Sequence, residues 1–113
     1  MSGQSLTPFE RQRIAEILSA ISAKDWPRFR SLSNEPFLNL SSMREQFHDS
    51  ICKISDDLDY WEGATSISTG TDGTRLILLR LSGKTPEAPP IQLFLHSAPN
   101  RIGIWVFYEE YQA

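Results

Sequence analysis

The sequence holds a single cysteine, Cys52, and two histidines in 113 residues. No internal disulfide can form, and no closely spaced set of thiol and imidazole ligands is available for zinc. Cys52 falls on a predicted helix with no basic cluster beside it to lower its pKa, so it reads as a small buried hydrophobe. Lysine and arginine never form a run: 11 of them stand against 14 acids, a formal charge of −3 and a pI near 5.3. Phosphate backbones need clustered positive charge, which excludes nucleic acid as a partner and disfavours acidic membranes. No apolar stretch approaches the ~20 residues of a membrane span. Met1 to Thr7 lacks the basic-then-apolar order of a secretory signal, so the expected compartment is the cytoplasm, where the Asn39-Leu40-Ser41 sequon has no use.

Familiar chemical motifs are missing too. Ser82-Gly83-Lys84-Thr85 ends like a phosphate-binding loop, but Leu78 stands where the first glycine belongs and Pro86 blocks the helix that should follow. Gly70-Thr71-Asp72-Gly73 reads as a turn. His48-Asp49-Ser50 has the residue types of a hydrolase triad, yet consecutive helical residues point about 100° apart and cannot form the relay. No cofactor and no metal are expected.

What is present suits one globular domain. Forty per cent of the residues are apolar, with six Phe, three Trp and three Tyr, and a chain of this length buries roughly 60 to 70% of its unfolded surface. Residues 1–113 read as one domain with a flexible 1–6. Thr7-Pro8-Phe9-Glu10 opens a helix with a capping box, and Ile14, Ile17, Leu18 and Ile21 follow on one face. Asp25 caps a short helix from Trp26 to Leu32 with Trp26, Phe29 and Leu32 inward. Asn34 to Leu40, with Pro36, reads as a loop or short edge strand. Ser42-Met43-Arg44-Glu45 is a second capping box, for a helix to Ile54 with Met43, Phe47, Ile51 and Ile54 inward.

After Tyr60 the apolar period changes from 3.6 to 2. Strands are predicted over Ala64–Thr69, Arg75–Ser82, Ile91–His96 and Ile102–Tyr111, with a glycine turn joining the first two. The fold class is therefore α+β: three N-terminal helices packed on a curved, antiparallel four-stranded sheet. The strands do not alternate cleanly. Ile77, Leu79 and Leu81 would line one face, while Leu76, Leu78, Phe94, Trp105 and Phe107 make the second face apolar as well. Three helices can cover one face of such a sheet. Either curvature and the connections let this chain cover the second face itself, or, as the leading expectation, that face meets another protein, most economically a second copy of the chain.

Three more features complete the reading. His48 and His96 are the candidate ligand-binding residues for a small molecule between helix and sheet. Asp56-Asp57-Leu58-Asp59-Tyr60-Trp61-Glu62 concentrates acids and aromatics, with Asp56, Asp57, Asp59, Tyr60, Trp61 and Glu62 as a candidate docking stretch for a basic protein surface. Ala20-Ile21-Ser22-Ala23-Lys24-Asp25-Trp26-Pro27-Arg28-Phe29-Arg30-Ser31-Leu32 resembles the helix–turn–helix opening of nuclear-transport-factor-like (ketosteroid-isomerase-like) domains. The resemblance implies a cone-like α+β fold, a pocket at the wide end of the cone and dimerisation through the sheet. None of that family's catalytic residues can be matched here, so the resemblance implies the fold and not the activity. The leading expectation is a non-catalytic binding or scaffold module, homodimeric through the apolar face. An immunity- or inhibitor-type protein using the acidic loop, and a pocket enzyme of isomerase or hydratase type with a histidine base, stand beside it.

Overall fold

The computed structural model describes residues 5–35, 37, 39–55, 61, 65–85, 87–99 and 101–109, leaving aside the side chains of Trp105, Val106 and Glu109. It is an α+β domain with three helices, α1 (Pro8–Ser22), α2 (Trp26–Ser31) and α3 (Leu40–Ile51). They precede an open antiparallel sheet of β1 (Thr65–Thr69), β2 (Arg75–Leu81), β3 (Ile91–Ala98) and β4 (Arg101–Glu109), in the order β1-β2-β3-β4 among the described residues. No helix of the described residues is long and apolar enough to cross a membrane.

Local chemistry sets the helix ends. The Thr7 hydroxyl accepts from the Glu10 amide at 3.1 Å and the Glu10 carboxylate accepts from the Thr7 amide at 2.9 Å, closing the capping box. Asp25 caps α2 through the Arg28 amide at 3.2 Å. The third helix starts earlier than its Ser42 signal: Asn39 Oδ1 accepts from the Ser42 amide at 3.0 Å, so Asn39 is the cap. Asparagine caps as well as serine does, and Leu40 and Ser41 extend the first turn. At the other end of the chain, Ser5 and Leu6 are tied down by Arg75, which donates to the Ser5 carbonyl, and by packing of Leu6 on the core.

Between β1 and β2, Gly73 takes φ 87° and donates to the Gly70 carbonyl at 3.0 Å, while the Gly70 amide donates to Thr74 at 2.8 Å. This is a type I turn closed by a glycine bulge, for which a residue without Cβ is needed at the positive φ. Its hydrogen-bonded pair sets the alternation of the sheet. Counting outward, the N–H and C=O groups of Thr65, Ile67 and Thr69 face away from β2, and those of Ile102 and Ile104 face away from β3.

One register shift corrects the expected distribution of side chains. Phe94 pairs with Val106 but Leu95 pairs with Ile104, so Trp105 is an extra residue, a β-bulge. The bulge moves the following residues by one, and a one-residue shift exchanges the faces. Phe107, expected on the second face, is therefore in the core, 7% exposed, with ring centroids 5.5 Å from Phe29 and 6.4 Å from Phe47. The core joins Ile14, Ile17 and Ile21 of α1 to Ile77, Leu79, Leu93, Leu95, Ile102 and Ile104 of the sheet.

The helices also close one edge of the sheet. The described residues between α2 and α3 form no strand, yet Asn34 runs along β4: its amide donates to the Ile102 carbonyl at 2.8 Å and its Oδ1 accepts from the Ile102 amide at 2.9 Å. Ser33 Oγ accepts from Ile104 and Gln46 Oε1 from Phe107, both at 3.1 Å. Gly103 makes room for this crossing, since a Cβ there would lie 2.9 Å from Glu35 Cγ. Arg13 holds the segment by donating to the Leu32 carbonyl and, at 2.9 Å, to Asn34 Oδ1. Replacing Asn34→Ala removes the acceptor shared by Arg13 and Ile102. It is expected to cost about 1–3 kcal/mol in urea unfolding and to speed amide exchange at Ile102 more than at Leu93.

Candidate functional site: the uncovered side of the sheet

Along β2 and β3, side chains alternate between the core and the face that the helices leave uncovered. Leu78 stands beside Phe94, and Leu76 beside His96, in the paired register. Leu76, Leu78 and Phe94 are half-buried, forming the apolar centre of this outer face. Ser66, Ser68, Arg80 and His96 are exposed around them, with Gln92 half-buried and Tyr108 53% exposed. An apolar centre within a polar rim is the anatomy of a protein interface. Of the five residues expected there, the structure brings Leu76, Leu78 and Phe94 together and removes Phe107; the side chain of Trp105 lies outside the described residues.

The two histidines are not brought together. His96 lies on the outer face, between the buried Leu95 and Ser97. His48 is exposed on α3, its ring 6.5 Å from Trp26 and 5.6 Å from Phe47, in a shallow depression of about 620 Å³ with Ser42, Glu45 and Asp49. Phe47 faces the core from the covered side, so His48 and His96 belong to opposite sides of the sheet. Between α3 and β4 the space is filled by Phe29, Phe47 and Phe107, the first two 4.6 Å apart. Cys52, expected buried, is exposed, with its thiol donating to the His48 carbonyl at 3.3 Å. The C-terminal turn of α3 rolls it outward while Ile51 points in.

Of the acidic stretch, Asp56, Asp57, Asp59, Tyr60 and Glu62 lie outside the described residues. Trp61 is half-buried against the core, and its carbonyl accepts from the Thr65 hydroxyl at 2.7 Å. Among the described residues no cluster of His, Cys, Asp and Glu could hold a metal ion.

One heavily engaged polar group, Glu10, is marked in the sequence only as part of a cap. Glu10 is 2% exposed; its carboxylate accepts from the Ser97 hydroxyl at 2.6 Å and from Nε and Nη2 of Arg75, each at 2.8 Å. These groups wall a pocket of about 370 Å³ with Thr7, Phe9 and Pro99. With Thr7 added, both carboxylate oxygens are occupied, so Glu10 works as a tie between α1 and the sheet rather than as a base. The signal was available. Glu10 precedes Ile14 by four residues and shares its helix face, which is the core face.

Burial pushes the Glu10 carboxyl up, but hydrogen bonds from Arg75, Ser97 and the Thr7 amide, with the Arg75 charge, more than offset it and hold it below the ordinary value of 4.5. A depressed carboxyl pKa stabilises the fold fully above the unfolded value and loses that contribution as pH falls through the folded one. Comparing melting temperatures, Glu10→Gln is expected to be less stable than wild type near neutral pH by about 1–3 kcal/mol. The gap should shrink below pH 4.5; a gap independent of pH would contradict the ion tie.

Compared with protein-family models, with curated proteins and with solved structures, the chain matches none.

Proposed function

We propose that the protein is a non-catalytic binding and scaffold module that forms a homodimer through the outer face of its sheet, in the cytoplasm. The observation that carries this reading is the one-sided layering: three helices pack on one face, while Leu76, Leu78 and Phe94 form an apolar centre on the other. A soluble chain gains by removing such a patch from water, and an isologous two-fold contact uses the same patch on both copies. The cone-like arrangement of nuclear-transport-factor-like domains is the architecture we assign to it, on the Ala20–Leu32 resemblance and the order of helices before a meander. Placement of His48 and His96 on opposite sides of the sheet favours binding over acid–base chemistry, which needs its groups around one reacting atom.

Light scattering on wild type is expected to give a mass above the 12.9 kDa of one chain at micromolar concentration. Phe94→Arg, which sets a charge in the centre of the patch, should weaken self-association about 30-fold or more, as for a residue worth 2 kcal/mol or more at an interface core. Its circular dichroism should stay that of wild type. A wild-type monomer at all concentrations would overturn the homodimer.

A further inference from the structure

The two edges of the sheet are treated differently. Along β4 the outward-facing amides of Ile102, Ile104 and Phe107 are taken by Asn34, Ser33 and Gln46. Along β1 the outward-facing groups belong to Thr65, Ile67 and Thr69, and among the described residues no backbone or side-chain group accepts from their amides. Unpaired strand edges are templates for another strand, and natural edges are blunted with lysine, proline or bulges. The edge strand β1 has none of these: it is Thr-Ser-Ile-Ser-Thr, uncharged and in unbroken register with β2.

That strand reads the same in both directions. We infer that β1 pairs antiparallel with β1 of a second copy of this chain, about a two-fold axis at Ile67. An antiparallel pair carries two-fold axes normal to the sheet, and the axis at Ile67 sets Ile67 opposite itself, Ser66 opposite Ser68 and Thr65 opposite Thr69. Thr65, Ile67 and Thr69 are the residues whose N–H and C=O groups point outward, so in this register each of their pairs exchanges two backbone bonds. Opposed Thr–Thr and Ser–Ser pairs suit cross-strand contact, and no charge meets its like at the axis. The axis is normal to the sheet, so the helices of both copies stay on one side. Their outer faces then join into one continuous surface. This contact is an edge contact and stands apart from the proposed face-to-face dimer; both together close into a tetramer when their two-fold axes cross at right angles.

The test keeps the two apart by using charge at Thr65 and Thr69, read by light scattering and sedimentation in the wild-type and Phe94→Arg backgrounds. Thr65→Glu with Thr69→Glu sets acids opposite acids and is expected to weaken self-association ten-fold or more. Thr65→Lys with Thr69→Glu sets opposite charges together across the axis and is expected to restore it. An unchanged mass in the doubly acidic variant overturns edge pairing, as does equal dissociation of both variants. In the Phe94→Arg background the edge is the remaining contact, so a dimer there with wild-type sensitivity to the acidic pair supports the edge pairing even if the face-to-face dimer fails. A monomer there, with the Thr65→Lys, Thr69→Glu variant also monomeric, overturns it.

Discussion

Backbone N–H and C=O groups at the edge of a sheet must find partners or water, and this requirement organises the domain. The meander brings four strands together but leaves β4 with a row of groups facing outward. The segment after α2 answers it, with Ser33 and Asn34 crossing β4 and Gln46 of α3 reaching Phe107. Much else serves that crossing. Arg13 on α1 holds Asn34, Gly103 leaves room for Glu35, and Asn39 starts α3 where Gln46 can reach the strand. Helices and sheet are thus joined by hydrogen bonds at one edge as well as by apolar contact over one face.

Two further devices keep the layers in place. The Trp105 bulge restores Phe107 to the core side, where it completes the aromatic cluster with Phe29 and Phe47. At the opposite end, the Glu10 tie fastens the start of α1 to Arg75 of β2 and Ser97 of β3. A charged pair with a buried member gains little over an apolar contact but is costly to break singly, and it fixes how α1 sits on the sheet. The result is a domain whose inner face and β4 edge are satisfied by its own chain. The helices leave the outer face open, and among the described residues nothing accepts from the outward-facing amides of β1.

Much of the fold was legible in the sequence because it is local. The capping box at Thr7, the Asp25 cap, the glycine turn and the change of period after Tyr60 are short-range signals, and the elements stand where these place them. The structure departs from the local signals at several points: Asn39 rather than Ser42 caps α3, and Cys52 lies exposed just past the end of that helix rather than inside. A bulge leaves little trace in a run such as Arg101–Glu109, where residues of both parities are apolar, so simple alternation sends Phe107 to the wrong face. Side chains that act across the chain, such as Gln46 on β4 or Arg75 on Glu10, have partners 61 and 65 residues away and no periodicity to announce them. Of the outer-face site, Leu76, Leu78 and Phe94 were legible from strand alternation alone.

In the proposed assembly the chain satisfies the β4 edge of its sheet and leaves the β1 edge for a second copy. Amide hydrogen exchange, followed residue by residue at two widely separated protein concentrations, tests it most directly. Ile102, Ile104 and Phe107 are predicted to exchange slowly at both concentrations, whereas Thr65, Ile67 and Thr69 are predicted to exchange fast when dilute and slowly when concentrated. Equal protection of both edges at every concentration would contradict the account, since it would mean that the chain covers β1 itself.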